Sequence, residues 1–457
     1  MPDENPAASR VDAFRTLAEA RARGEMVVLP RMLKGADRRV HVRQTLREDH
    51  RARIAGHDED AEVKFDKLAG SLFSFFRGTA LLFYRDMAGE DAWMPTVLTL
   101  GDVHPDNYGV TPSADDVPVF SVDDFDEAFY APFTWDIKRG AVGFMIGAEV
   151  EAGLGDRAQR RIASAFVGGY HDGIADYAVS RTEGAEQLRR DNAPPLIAAL
   201  IDAATAKGRK RWLADKYLDE GGRGFKASKK LVPVTSRREE FQHVLDRYVA
   251  DSGLEAPERA GELRVKDVCE RKGQGTASLG LARYYLLIEG PAKDGTDDLI
   301  LEIKQARRSA LAGLAPPSRY TMEGEADRIS HAHQVQLVRG DVFFGSLEHD
   351  GLGFLIRERA PYKKSIDLDR LDEDEWVNYA TICGGVLAQV HALSDDAGNV
   401  DHDVEPEVLR AMGSRELFVE DVLGFAKDAC KRIRRDHVCF KRDHAMGAFR
   451  DVDVVFR

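Results

Sequence analysis

The chain has 457 residues, a net charge of -13 and 43% hydrophobic residues, so it is long enough for two or three domains with a sizeable core. The acidic balance argues against a general polyanion binder, because nucleic-acid binding draws most of its affinity from neutralised phosphates. The 4 cysteines are widely spaced and lack the Cys-x-x-Cys pattern of a zinc site. The polar N-terminus lacks the apolar stretch of a secretory signal, and no run approaches the roughly 18 apolar residues of a membrane helix. We therefore expect a cytoplasmic protein that binds neither membrane nor nucleic acid.

Residues 1–60 are rich in Arg, His and Glu and predict an N-terminal helical extension without a core of its own. From residue 61 apolar side chains recur every three or four positions, which predicts a buried helix, or two, ending at Gly89. The side chains concerned are Phe65, Leu68, Leu72, Phe75, Phe76, Leu82 and Met87. This segment starts a predicted helical lobe over residues 61–252.

Two short apolar runs follow, and each ends in a polar cluster. The stretch "LTLGDVHPDN" sets Asp102, His104 and Asn107 after a predicted strand, and "VFSVDDFDEA" sets Asp124 and Asp126 after another. A turn needs only one or two such residues for its backbone geometry, so the surplus favours a site over two turns that merely end strands. If the two strands pair side by side, their loops meet. Their carboxylate and amide oxygens then suit Mg²⁺, and an Asp outside the metal shell can act as a general base.

Residues 253–360 predict a β-rich lobe that contains one helix. The motif "GQGTASLG" lies between two extended segments, and Lys304 lies on a following strand. Its candidate phosphate-binding residues are Gly273, Gly275, Ser278 and Gly280. Such a loop lets backbone N–H groups approach phosphates, and a neighbouring lysine can hold them as a point charge. The loop precedes a strand and not a helix, which argues against a dinucleotide-binding fingerprint.

The stretch "LILEIK" alternates between two faces of its predicted strand. Glu302 and Lys304 share the face opposite to Leu301 and Ile303. A polar face suits the wall of a cleft, and an exposed sheet face predicts it equally. Residues 361–457 then return to helical patterns, which we expect to complete the helical lobe.

The motifs "GDVHPDN" and "VDDFDEA" together resemble the catalytic loop and metal-binding segment of the aminoglycoside and choline phosphotransferases, which belong to the protein-kinase-like superfamily. Five motifs in order also resemble the bacterial domain-of-unknown-function family 2252, over roughly residues 30–395. They are "FRGTALLFYRDM", "GDVHPDNYGV", "VDDFDEAF" with "WDIKR", "SLGLARYYLLIEG" and "LEIKQARRSAL".

The resemblance implies roles for the polar residues of the first two loops. Asp102 would be the catalytic base, with His104 orienting its loop. Asn107 and Asp124 would be the Mg²⁺ ligands, with Asp126 as a further candidate ligand.

The resemblance also implies residues outside these loops. Asp136 in "WDIKR" would steady the catalytic loop. In the β-rich lobe the Gly-rich motif would bind the nucleotide and Lys304 would pair with its phosphates. Glu323 or Glu325 on the next helix would be the partner of Lys304.

The order of the motifs differs from that of a kinase, in which the nucleotide-binding lobe comes first. A circular permutation reconciles the two orders, because chain termini often lie close together on the surface. The other account is that the Gly-rich segment and Lys304 match by coincidence.

We therefore expect a two-lobed α+β protein, protein-kinase-like and circularly permuted. It would use ATP and Mg²⁺ to transfer phosphate to a hydroxyl of an unidentified small molecule. Three alternatives stay open: nucleotidyl (AMP) transfer by the same site, a non-catalytic nucleotide-binding regulatory module, and a metal-dependent hydrolase using the Asp/His cluster alone.

Overall fold

The computed structural model describes residues 11–25, 29–51, 54, 58–272, 281–292 and 294–450. Long helices and several antiparallel sheets alternate along the chain, which confirms the expected α+β class. Within these ranges no helix combines the length and apolar character that a membrane crossing requires.

The first part of the chain is helical. Its helices are α1 (Val11–Ala22), α2 (Gly35–Asp49), α3 (Asp58–Gly70), α4 (Leu72–Gly78) and α5 (Ala80–Asp86). The segment expected to form one helix or two thus forms three. The hydroxyl of Ser71 accepts a hydrogen bond from the N–H of Ser74 and caps the start of α4. Thr79, with φ -128° and ψ 41°, leaves the helical conformation and separates α4 from α5.

Two small antiparallel sheets carry the polar loops. Their strands are β1 (Thr96–Thr99), β2 (Tyr108–Pro112), β3 (Pro118–Val122), β4 (Phe129–Pro132) and β11 (Lys364–Ser365). Strand β1 pairs with β4, while β2 pairs with both β3 and β11. The condition that β1 and β3 pair side by side is therefore not met, since each strand pairs with another.

Helices fill the interval between β4 and the large sheet. They are α6 (Phe133–Ala152), α7 (Asp156–Ser180), α8 (Pro195–Thr205), α9 (Arg209–Lys216) and α10 (Arg238–Ser252). Helix α6 starts directly after β4 and is buried along most of its length. It therefore forms the centre of the main core.

The large sheet has six antiparallel strands in the order β5-β6-β7-β8-β10-β9. They are β5 (Leu231–Pro233), β6 (Val265–Arg271), β7 (Arg283–Ile288), β8 (Leu299–Gln305), β9 (Gly345–His349) and β10 (Leu352–Glu358). The expected strands on both sides of the Gly-rich motif are present as β6 and β7, and β9 and β10 form a hairpin later in the chain. The sheet also takes in β5 and packs against α10, which both precede the expected start of the β-rich part at residue 253.

The two faces of β8 differ as the alternation predicted. Leu301 and Ile303 pack with Phe241 of α10 in an apolar core. Glu302 and Lys304 point to the opposite face, where both are buried. The charged face is therefore enclosed by other parts of the chain and is not a solvated surface.

The last helices rejoin the first part of the chain. Helix α11 (Glu325–Gln336) lies between β8 and β9 in sequence, and α12 (Glu373–Ala392), α13 (Val404–Met412) and α14 (Arg415–Ala445) follow the sheet. Helix α12 packs along α7, and α14 packs along α6 and α7. The C-terminal helices therefore share the core of the helices that precede the sheet.

Candidate active site

The loop after β1 turns at Gly101, whose backbone is left-handed with φ +78°. A Cβ atom at this position would lie 2.3 Å from the carbonyl oxygen of Glu127, so the turn requires glycine. The hydroxyl of Tyr84 donates to the carbonyl oxygen of Gly101 at 2.5 Å. The turn thus presses this loop against the acidic segment that follows β3.

The carboxylate of Asp136 holds the start of the same loop. It accepts hydrogen bonds from the N–H groups of Leu100 at 2.6 Å and Gly101 at 2.9 Å. The Nε2 atom of His391 on α12 lies 3.1 Å from it. Asp136 is fully buried, and these partners satisfy it. A buried carboxylate with backbone and imidazole partners supports the geometry of a loop and leaves no surface for a substrate.

Asp102 is held by a buried arginine that the sequence did not single out. Both Nε and a terminal nitrogen of Arg139 donate to one oxygen of Asp102, at 3.0 and 2.5 Å. Burial opposes ionisation, but Arg139 and then His104 outweigh it and lower the pKa of Asp102 far below its usual range. The Nε2 atom of His104 lies 3.6 Å from the other oxygen, which is too long for a hydrogen bond. Asp102 is therefore an ionised hydrogen-bond acceptor at neutral pH.

The two polar loops meet through the β2–β3 hairpin and not through a pairing of β1 with β3. Asn107 directly precedes β2, and Asp123 directly follows β3. Because Tyr108 and Val122 are register partners, these flanking residues are opposed. The N–H of Asp123 donates to the carbonyl oxygen of Asn107 at 3.2 Å. The hairpin therefore brings the clusters together even though β1 and β3 do not pair.

The amide of Asn107 is oriented by main-chain acceptors. Its Nδ2 atom donates to the carbonyl oxygens of Asp102 at 3.1 Å and Asp124 at 3.4 Å. Its Oδ1 atom must then point away from those carbonyls. The protein that surrounds the Asp124 carboxyl, and then repulsion from Asp126, raise the pKa of that carboxyl, although part of the residue is exposed. An amide oxygen beside a crowded carboxylate is a donor set that fits Mg²⁺.

Lys304 joins the large sheet to the acidic loop. Its Nζ atom donates to the carboxylate of Asp126, whose own N–H donates to Oδ1 of Asp124 at 3.2 Å. Burial opposes ionisation of Asp126, but Lys304 outweighs it and lowers the pKa of that carboxyl to about 2. The lysine and the acidic cluster therefore share one site, although 178 positions separate Lys304 from Asp126 in the chain.

The partner of Lys304 differs from the one expected. Glu325 lies 2.9 Å from Arg328 in the same helix, and the N–H of Glu323 bonds to Asp327. The buried guanidinium of Arg328 donates to the carbonyl oxygens of Asp126 at 2.8 Å and Ala128 at 2.5 Å. Helix α11 therefore reaches the site through Arg328, which Glu325 holds in place. The expected pairing of Lys304 with Glu323 or Glu325 is replaced by its pairing with Asp126.

Further cations on the charged face were missed by the sequence reasoning. Glu302 accepts hydrogen bonds from Arg283 at 3.0 Å and Arg357 at 2.7 Å. Lys363, after β10, lies 3.2 Å from the carboxylate of Asp123. Cross-strand register puts Arg357 opposite Glu302, and no local pattern reveals that. The sequence could have indicated Arg139, because it lies one helical turn after Asp136 and therefore on the same face of the helix.

The Gly-rich motif lies outside the described residues, and so do its candidate phosphate-binding residues Gly273, Gly275, Ser278 and Gly280. In sequence the motif connects β6 to β7, and Arg283 is the first residue of β7.

The fold and the site define an α+β protein in which an antiparallel sheet and a helical part meet at a buried, acidic, lysine-containing cluster. The chain matches a family model described as "Uncharacterized protein conserved in bacteria (DUF2252)" over residues 57–443. It therefore belongs to that family. No curated protein and no solved structure matches the chain.

Proposed function

We propose that the protein is an ATP- and Mg²⁺-dependent phosphotransferase, protein-kinase-like with permuted lobe order, that acts on a hydroxyl group of a small molecule. The observation that carries the proposal is the contact of Lys304 with Asp126, next to Asp124 and Asn107. Phosphoryl transfer needs a lysine and metal-binding oxygens around the same phosphates. Three-dimensional proximity of these groups also argues against a coincidental match of Lys304.

The order of elements in the sheet supports the same proposal. Strands β6, β7 and β8 form a meander, the Gly-rich motif joins the first two in sequence, and Lys304 lies on the third. Helix α11 follows β8 and contacts the acidic loop through Arg328. Kinases likewise place a Gly-rich loop over the phosphates, a lysine on the third strand and a helix after it.

The metal would be held by Oδ1 of Asn107 and the carboxylate of Asp124. Bound there, Mg²⁺ would neutralise phosphate oxygens. Lys304 holds Asp126 in the resting protein, and a bound phosphate would compete for its ammonium group. Exchange of Lys304 from Asp126 to phosphate would leave the Asp126 carboxylate as a further ligand.

Asp102 would orient the acceptor hydroxyl. Because its pKa is far below the usual range, the Asp102 carboxylate is ionised in the resting protein, so it can accept a hydrogen bond from the acceptor hydroxyl. Arg139 fixes one of its oxygens, which leaves the other to face the acceptor. Positioning and electrostatics therefore supply most of the catalysis, as phosphoryl transfer requires.

The test is Mg-ATP binding to the full chain, measured by titration calorimetry. Wild type should bind, and Lys304→Met should lose at least about ten-fold in affinity, since one phosphate contact to a charged group is worth about 1.5–3 kcal/mol. Lys266→Met is the matched control, because Lys266 also pairs with a buried carboxylate of the large sheet, Asp298, at 2.5 Å. The control should bind Mg-ATP like wild type. Absence of binding in wild type, or equal losses in both variants, would contradict the proposal.

Labelled ATP separates the alternatives once binding is found. With a panel of hydroxyl metabolites, transfer of the γ-phosphate supports the kinase and transfer of the α-phosphate supports nucleotidyl transfer. Binding without turnover supports a regulatory module. Metal-dependent hydrolysis that survives in Lys304→Met supports the hydrolase.

A further inference from the structure

Lys363 lies beside the acidic loop of the candidate active site, on the segment that joins β10 to β11. Its Nζ atom is 3.2 Å from Oδ2 of Asp123 and donates to the carbonyl oxygen of the same residue at 3.4 Å. Asp123 directly precedes Asp124, the candidate metal ligand. The ammonium group of Lys363 therefore belongs to the charged surroundings of the proposed Mg²⁺ position.

Strand pairing holds this segment beside the β2–β3 hairpin. Strand β11 pairs with β2, and Ser365 of β11 is the register partner of Gly109 in β2. A Cβ atom at Gly109 would lie 2.9 Å from the carbonyl oxygen of Lys364, so a side chain there would push the segment away. Glycine thus lets the two backbones approach closely, and this approach keeps Lys363 at the acidic loop.

Lys363 and Asp124 are the more accessible members of the charged cluster. The side chain of Lys363 is 30% exposed, whereas those of Lys304 and Asp126 are 8% and 11% exposed. Part of Asp124 is exposed as well. A Mg-phosphate group that enters the cluster therefore meets a carboxylate and an ammonium group first. These two groups match its metal ion and its phosphate oxygens.

The ammonium group of Lys363 has a hydrogen-bond donor to spare. A protonated lysine side chain has three N–H donors. Among the described residues its partner atoms are Oδ2 and the carbonyl oxygen of Asp123. One donor is left for a ligand, so Lys363 can bind a phosphate oxygen without giving up Asp123.

A purely structural role is the other account of Lys363. Its pair with Asp123 would then only fasten the segment after β10 to the hairpin. Such a fastening gains strength from burial, because solvent screens an exposed ion pair and leaves it little effect on stability. The partial exposure and the spare donor of Lys363 favour a ligand instead.

We propose that Lys363 is a second phosphate-binding residue, which donates to a phosphate oxygen of the nucleotide whose Mg²⁺ ion is held by Asn107 and Asp124. This role rests on the proposed phosphotransferase function, since it requires a bound nucleotide. The phosphates then meet two lysines from different parts of the chain, Lys304 from the large sheet and Lys363 from the segment that leaves it. Binding of Mg-ATP joins these parts across the acidic loop.

Titration calorimetry of the full chain with Mg-ATP and with adenosine tests the role of Lys363. Lys363→Met should bind Mg-ATP at least about ten-fold more weakly than wild type, because it loses a charge-assisted contact to phosphate. Its affinity for adenosine, which has no phosphate, should stay unchanged. Lys364→Met is the matched control, because it removes the same charge from the next residue, whose side chain points to the opposite face of β11. The control should bind both ligands like wild type.

Three outcomes would overturn the role of Lys363. If wild type binds no Mg-ATP, the proposed function fails and the role of Lys363 fails with it. If Lys304→Met loses ten-fold in Mg-ATP affinity while Lys363→Met loses nothing, the proposed function stands and the role of Lys363 alone is wrong. If Lys363→Met loses affinity for Mg-ATP and adenosine equally, Lys363 acts only through the structure of the site.

Chemical labelling of wild type decides the question if Lys363→Met does not fold. The probe is ATP with an acyl group on its γ-phosphate. A lysine amine beside the phosphates attacks the acyl carbon, forms an amide and releases ATP and a proton. Burial lowers the pKa of Lys363, which favours the nucleophilic free amine. Mass spectrometry of peptides should find label on Lys363 that excess Mg-ATP prevents, and none on Lys364; absence of label on Lys363 would contradict its contact with phosphate.

Discussion

Two acidic loops of this protein differ in how their charge is balanced. In residues 123–127, after β3, Lys304 pairs with Asp126, Arg307 pairs with Glu127 and Lys363 pairs with Asp123. In residues 395–405, after α12, Arg181 pairs with Asp403 and Glu405. The first loop is thus held by cations from the large sheet and the segments that flank it, whereas the second is held by an arginine at the end of α7.

The difference indicates what the first loop can bind. A loop whose charges are balanced gains little from a bare cation, but it can accept Mg²⁺ that arrives with the negative charge of phosphates. We therefore expect the first loop to respond to Mg-ATP and not to Mg²⁺ alone.

Replacing the cation of each loop by methionine gives the largest expected contrast. Lys304→Met should lower the free energy of unfolding by about 3 kcal/mol, because it leaves Asp126 buried without its main partner. Arg181→Met should have a clearly smaller effect, because Arg181 and Asp403 are about half exposed and solvent screens their charges. Urea denaturation of both variants measures the two values. Equal losses would show that the loops do not differ in the way their burial implies.

Acidification should weaken the first loop through a buried histidine. The ring of His333 stacks on Phe344 at 3.8 Å and meets Phe125, inside the acidic loop, edge to face at 5.4 Å. Burial lowers the pKa of His333 to about 3. Its neutral form therefore contributes stability that is fully present above the unfolded pKa of about 6.5 and is lost as the pH falls toward about 3.

Unfolding free energies at pH 7 and pH 5 test this dependence. Protonation of His333 in the unfolded chain should account for a loss of about 2 kcal/mol between the two values. His333→Phe keeps an aromatic ring in the stack and should lose about 2 kcal/mol less than wild type over the same interval. Identical losses of unfolding free energy in the two proteins would show that His333 does not cause this pH dependence.

Local sequence patterns were sufficient for several elements. The spacing of apolar residues predicted the buried segment near Phe65, and alternation predicted the two faces of β8. Turn chemistry also left Asp102 and His104 as a surplus of polar groups in the loop after β1. These features follow from the periods of helices and strands and from the backbone needs of turns, which short stretches of sequence express directly.

Strand pairing and long-range ion pairs were not accessible in this way. The sequence left open whether β1 and β3 pair, and the fold pairs β3 with β2 instead. The resemblance suggested glutamates as partners for Lys304, where the fold supplies Asp126. Nothing local indicates that Arg181 meets Asp403 across 222 positions.

What the sequence by itself determined is the chemistry of each loop: which residues can carry charge, accept a proton or hold a cation. What only the tertiary structure decided is which of these charges are neutralised. The physical reason is that secondary structure depends on residues that are near in the sequence. The electrostatic state of a carboxylate depends on cations from distant segments, which the packing of the chain brings within about 4 Å.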